Sequence, residues 1–223
     1  MIIRRQGEVE LGEIVIPPGK ALTIRAASGW APVFVSKSWR TTNVESNAPL
    51  CLEGLEFRHP FSVDPANAEP ILRCHRAPIF LANCRFLRTT REGHLRASRR
   101  NPRPLVDFID CPKVDITNCE FYTIIGTDIT LNVSDSGSDS QVRLTNNLIV
   151  GQFGLRLTAA SNSRHDWQLE QNTIAGAHAM FVSSQDRQFA RVNINQHHNL
   201  FDFINCFLGL YPVLATSPHH VTR

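Results

Sequence analysis

Asp107, Asp110 and Asp115 are the best local candidates for paired-acid chemistry in this chain. Hydrolysis at a glycosidic bond, or calcium-assisted attack on a uronate, needs two or three carboxylates converging on one exposed face. Asp107 and Asp110 lie three apart on a segment that reads as a strand, so their side chains are expected on opposite sides. Arg164-His165-Asp166 sets a base beside a charge partner, but neighbours on a turn rarely converge, and a solvated turn is expected. His197-His198 and His219-His220 are conceivable metal pairs without a third ligand at usable spacing, and read as surface or turn residues. No catalytic residue, metal or cofactor is therefore assigned. The strongest binding candidate is basic: Arg88, Arg91, Arg96, Arg99, Arg100 and Arg103 fall in sixteen residues that hold one acid, Glu92. Arginine presents a planar fork that suits carboxylates and phosphates, so this segment could grip an acidic glycan, a phosphate or an acidic protein partner; the alternative is a solvated corner loop. It lacks interleaved aromatics, which argues against single-stranded nucleic acid.

The elements that must position these residues are marked by a phrase that recurs six times. It reads Leu52-Glu-Gly-Leu-Glu-Phe57, Leu81-Ala-Asn-Cys-Arg-Phe86, Ile116-Thr-Asn-Cys-Glu-Phe121, Leu144-Thr-Asn-Asn-Leu-Ile149, Leu169-Glu-Gln-Asn-Thr-Ile174 and Gln196-His-His-Asn-Leu-Phe201. Successive copies start 29, 35, 28, 25 and 27 residues apart, the period of a solenoid. The leucine-rich pattern is missing, and so are the amphipathic segments that helical repeats need. The phrase is read as one corner of a coil, once per turn. Gly54, Asn83, Asn118 and Asn146 in its third place suit a corner that needs positive φ. In its fourth place, Asn147, Asn172 and Asn199 would bond one another through their amides as a ladder. Leu55, Cys84 and Cys119 would continue that column as an apolar stack.

The flanks repeat as well. Glu69-Pro-Ile-Leu-Arg-Cys-His-Arg-Ala-Pro78 matches Arg103-Pro-Leu-Val-Asp-Phe-Ile-Asp-Cys-Pro112, which sets Arg73 and Arg76 one coil before Asp107 and Asp110. Ion pairs across coils are expected there rather than a catalytic cluster. Further strands are expected at 128–133, 154–158 and 179–183, and short β segments at 8–16, 21–25 and 32–36. Ser134-Asp-Ser-Gly-Ser-Asp-Ser140 reads as a plain flexible loop. One domain covers 1–223: less regular coils over 1–48, clear coils over 49–203, and a last coil and tail over 204–223. The apolar run from Phe203 to Leu214 reads as that further coil, to be completed by flanking sequence or by end-to-end association.

Composition sets the outer bounds. The 223 residues carry a net charge of only +3, too little to call for nucleic acid, and 42% hydrophobic content fits an ordered chain. No apolar run approaches the roughly 18 residues of a membrane span, so no membrane partner is expected. The N-terminus lacks the apolar stretch of a secretory signal. A cytoplasmic protein, a processed one and a segment of a larger one all remain open. Six cysteines occur without any Cys-x-x-Cys and lie in apolar runs, so reduced, buried thiols are expected.

Leu144-Thr-Asn-Asn-Leu-Ile-Val-Gly151 and Leu169-Glu-Gln-Asn-Thr-Ile-Ala-Gly176 resemble the coils of right-handed parallel β-helix proteins of the pectin-lyase-like kind. Leu22-Thr-Ile-Arg-Ala-Ala-Ser-Gly29 with Glu53-Gly-Leu-Glu-Phe57 resembles β-helix segments appended to large bacterial proteins, serine/threonine kinases among them, though no kinase motif is present. The resemblance implies an all-β solenoid and one of two functions. The first is a non-catalytic module that binds an acidic glycan or a protein, or serves as a spacer. The alternative is a polysaccharide lyase or glycoside hydrolase with acids gathered from separate coils.

Overall fold

The computed structural model describes residues 1–38, 40–59, 69–88, 104–123, 129–160, 162–184 and 191–212. Among the described residues every strand pairing is parallel, the register shifting only between Gly176 and His178 where Thr173–Ser184 meets Leu200–Pro212, and no helix occurs. The chain is a parallel β-solenoid. One eight-stranded sheet, here face I, stacks Ile2–Ile3, Leu22–Ala26, Leu50–Glu53, Ile79–Ala82, Lys113–Thr117, Ser140–Thr145, Arg164–Glu170 and Arg191–His197. The other two sides, faces II and III, belong to one 14-stranded sheet, because Thr173–Ser184 runs unbroken from one side to the next. Face II includes Glu56–His59, Arg85–Arg88, Glu120–Thr123 and Leu148–Val150; face III includes Leu72–His75, Pro104–Ile109, Ile129–Ser134 and Phe153–Ala159. Residues before 49 stack on the same sheets, and the apolar run near the end forms Leu200–Pro212 against Thr173–Ser184.

The repeated phrase is the corner between faces I and II. All six third-place residues adopt left-handed backbone: Gly54, Asn83, Asn118 and Asn146, and also Gln171 and His198. A bend this sharp turns the chain within one residue, and Gly and Asn meet it at least cost. The last place forms a column in which Phe34, Phe57, Phe86 and Phe121 follow one another at ring separations of 5.3, 5.1 and 5.2 Å, with Ile149 and Ile174 continuing it. Identical residues stack because parallel in-register coils put equivalent side chains about 4.8 Å apart. The fourth place holds the expected ladder. The Asn147 Oδ1 accepts the Cys119 amide at 2.8 Å, and the Asn172 Oδ1 accepts the Asn147 amide at 3.0 Å and its Nδ2 at 2.9 Å. The Asn199 Oδ1 accepts both the amide and the Nδ2 of Asn172. Cys119 continues the pattern weakly, its Sγ accepting the Cys84 amide at 3.4 Å.

The glycines that close two of the phrases have a separate cause. A Cβ on Gly176 would fall 1.7 Å from the carbonyl oxygen of Gly151, so backbone meets backbone where faces II and III join.

Cys51, Cys74, Cys84, Cys111 and Cys119 are free thiols, and all but Cys51 are buried. Burial raises the Cys74 thiol well above its ordinary value and pushes Cys111 up to about 11, while contact with Cys84, with burial, raises Cys119. Alkylation of the native protein near pH 8, read by peptide mapping, is therefore expected to label Cys51 and spare Cys74, Cys84, Cys111 and Cys119 until denaturant is added. Rapid native labelling of Cys84 or Cys119 would contradict the stacked interior.

Candidate functional site

Successive residues of a strand point alternately inward and outward. On face III the outward positions of successive coils therefore form rows across the sheet. One row runs Glu45, Arg73, Asp107, Asn132, Arg156, Phe181. Its first half is self-satisfied. Arg73 Nη2 meets Glu69 at 2.7 Å and its Nε lies 3.8 Å from Asp107, while the Asn132 Nδ2 donates to Asp107 Oδ1 at 2.7 Å. Burial raises the Asp107 carboxyl above its ordinary value, against the opposing pull of Asn132, Arg73 and more distant cations.

The second half is not satisfied. Arg156 forms no ion pair among the described residues, and its buried Nε has no hydrogen-bond partner. The Asn132 Oδ1, one coil earlier, is also buried without a partner. Burial lowers the Arg156 guanidinium below its ordinary value, with the charge of Asp107 opposing. The guanidinium lies 5.8 Å from the centroid of the Phe181 ring. Phe181 meets Phe153 edge-on at 5.8 Å, and Phe153 stacks on His178 at 4.8 Å with ring planes 7° apart. A cation held partly out of water beside aromatic surface attracts an anion more strongly than one in bulk solvent. The arrangement can hold a carboxylate or sulfate on the Arg156 fork while an apolar ring face rests on the aromatics.

The structure places the candidates from sequence as follows. Asp107 faces out from face III; Asp110, with φ of 54°, sits on the corner leading to face I; Asp115 faces out from face I. The three do not converge. Asp107 and Asp110 have the expected cross-coil partners: Arg73 for Asp107, and Arg76, whose Nε lies 3.6 Å from Asp110. Among the described residues no group of three or more His, Cys, Asp or Glu could hold a metal ion. His197 and His198 are exposed with ring centroids 6.5 Å apart, and His219-His220 lies outside the described residues.

Two expectations need correction. Arg88 is not a loop cation: it ends a face II strand, points inward at 1% exposure, and donates to the carbonyl of Glu69 at 2.8 Å and to that of Pro104. In the same inward column, burial together with the charge of Arg88 pushes the His59 imidazole down to about 3. Arg91, Arg96, Arg99, Arg100 and Arg103 lie outside the described residues; they belong to the connection that leads into Pro104–Ile109 on face III.

The second correction concerns Arg164-His165-Asp166, which is strand and not turn. His165 faces inward, fully buried, while Arg164 and Asp166 face out and pair with each other. The partner of His165 is Asp135, whose Oδ2 lies 2.7 Å from Nε2; Ser140 Oγ lies 2.7 Å from Nδ1 and Ser163 Oγ 2.9 Å from Nε2. The 134–140 stretch is thereby tied down rather than a plain linker. Ser136 bonds Asp110, Gly137 donates to Asp135, and Asp139 accepts the Arg164 amide. This Ser-His-Asp set has the membership of a nucleophile relay, but all four side chains are buried and serve to cross-link coils.

Arg156 and Phe181 were missed at the sequence level because each is a lone residue in an unremarkable strand. A search for outward residues in register with Asp107 would have found them.

No protein-family model, no curated protein and no solved structure matches the chain.

Proposed function

We propose that this parallel β-solenoid is a non-catalytic carbohydrate-binding module of the right-handed, pectin-lyase-like kind, and that it takes an acidic glycan along face III. The observation that carries this reading is Arg156. A half-buried guanidinium with no ion pair and an unpaired Nε, set over Phe181 and beside the unpaired Asn132 carbonyl, is costly unless an anion completes it. A uronate or sulfated sugar supplies the carboxylate or sulfate for the fork and a ring face for Phe153 and Phe181. The arginines of the 91–103 connection add positive charge to the chain entering that face. Right-handedness follows the general preference of parallel strand connections.

Oligogalacturonate, alginate and heparin fragments on an array, followed by titration calorimetry, test the reading. The wild type is expected to bind at least one. Arg156→Ser should weaken that binding by about tenfold to a hundredfold, the cost of losing a hydrogen-bonded charge, with the melting temperature unchanged or raised. Arg96, Arg99 and Arg100 replaced together by serine should reduce retention further. No retention by the wild type, or equal retention by Arg156→Ser, would sink the proposal. Release of unsaturated or reducing ends from the same polymers would favour the lyase or hydrolase alternative.

A further inference from the structure

Face I carries a groove, of about 460 Å³, on a different side of the solenoid from Arg156. It runs along the solenoid axis over four successive strands, from Lys113–Thr117 to Arg191–His197. Asp115, Arg143, Gln168 and Asn195 stand in register in one row, and Lys113, Gln141, Asp166 and Asn193 in the other.

Three features separate this groove from an ordinary solvated face. Its polar side chains are largely unengaged. Asp115, Gln141, Arg143, Gln168 and Asn195 make no side-chain hydrogen bond or ion pair among the described residues, although Asp115 and Arg143 are register neighbours. On face II, by contrast, the equivalent outward residues are cross-linked. Arg85 bridges Glu56 at 2.8 Å and Glu120 at 2.7 Å, and Arg58 bridges Glu8 at 2.8 Å. Second, charges of both signs alternate: two cations, Lys113 and Arg143, and two carboxylates, Asp115 and the Arg164-paired Asp166, with four side-chain amides among them. Third, an exposed aromatic closes one end. Phe80 is in register with Asp115, and the Lys113 ammonium lies 5.4 Å from its ring centroid.

We infer that the face I groove binds a neutral, extended glycan lying parallel to the solenoid axis, with Phe80 as the stacking platform at one end. Amides, a carboxylate and a guanidinium offer donors and acceptors in pairs, which is what vicinal hydroxyls require. Coils repeat about every 4.8 Å, close to the advance per sugar of a β-1,4-linked ribbon, so each coil meets one residue of such a chain. A polyanion would meet the Asp115 carboxylate between the groove's cations and gains little there. A peptide strand would add its backbone bonds along the edge of Arg191–His197, the last strand of this sheet, whereas the groove lies over the outward side chains of four strands.

The inference does not rest on the face III reading, and one experiment separates them. Cellohexaose, mannohexaose and xylohexaose are titrated into the wild type, the double variant Arg143→Ala/Gln168→Ala, Asn195→Ala and Arg156→Ser. All four positions can be checked for intact folding by thermal melts. At least one hexasaccharide is expected to bind the wild type. The double variant should weaken it by about tenfold, as two hydrogen-bonding side chains are lost, and Asn195→Ala by less. Arg156→Ser should leave it unchanged. Affinity should rise from the disaccharide to the tetrasaccharide as successive coils are engaged. The inference is overturned if none of the three neutral hexasaccharides binds, if the double variant binds as tightly as the wild type, or if Arg156→Ser abolishes the binding.

Discussion

Asn172→Ala is expected to destabilise the protein by about 3–5 kcal/mol, because several buried polar groups lose their partners at once. The Asn172 side chain makes four hydrogen bonds. Its Oδ1 accepts the amide and the Nδ2 of Asn147, at 3.0 and 2.9 Å, and its Nδ2 donates to Leu144 O at 2.8 Å and to Asn199 Oδ1 at 2.9 Å. At 1% exposure, no water replaces them without opening the corner. Urea unfolding followed by circular dichroism measures the loss as a lower midpoint at unchanged slope. Asn199→Ala is the internal control. Asn199 is only half-buried and ends the described ladder, so solvent can take over part of its bonding and the loss should be smaller. A cost below about 1 kcal/mol for Asn172→Ala would mean that the ladder is ornament rather than support.

His165→Leu comes second, with an expected loss of about 3–5 kcal/mol, since it strands the Asp135 carboxylate in the interior without its main partner. The same pair predicts an acid limb. Burial alone would raise the Asp135 carboxyl, but the His165 hydrogen bond, the Gly137 amide and the charge of His165 together hold it below its ordinary value. A carboxyl depressed in the folded state adds stability that is fully present above its unfolded value, about 3.9, and lost as pH falls through the lower folded value. Unfolding free energy is therefore expected to decline as pH drops below about 4, and Asp135→Asn should flatten part of that decline. Combining His165→Leu with Asp135→Leu should cost less than the sum of the two, because no charge is left behind. Strict additivity would show that the two side chains do not interact.

Periodicity was visible in the sequence because a solenoid reuses one local solution every turn. The corner residues Asn83, Asn118 and Asn146 and the Asn147–Asn172–Asn199 column followed from aligning six short phrases, and the Arg73–Asp107 and Arg76–Asp110 pairs from aligning the flanks 69–78 and 103–112. Such features are set by residues at constant offset, so counting along the chain locates them. Gln171 and His198 showed where composition misleads: the stacked coils on either side force the same left-handed bend on residues with no special liking for it.

Residues that act alone stayed hidden. Arg88 sat in a run of arginines and looked like one more surface cation, yet strand alternation turns it inward onto two carbonyls. His165 stood between Arg164 and Asp166 and read as part of a solvated turn, yet the strand sends its ring inward, away from both, toward Asp135. Sequence alone determined the coil, its period and its principal corner, because those are local and repeated. Which way each unrepeated side chain points, and so which faces of the solenoid keep unsatisfied arginines and amides, depends on register between coils 25 or more residues apart, and only the folded stack decided it.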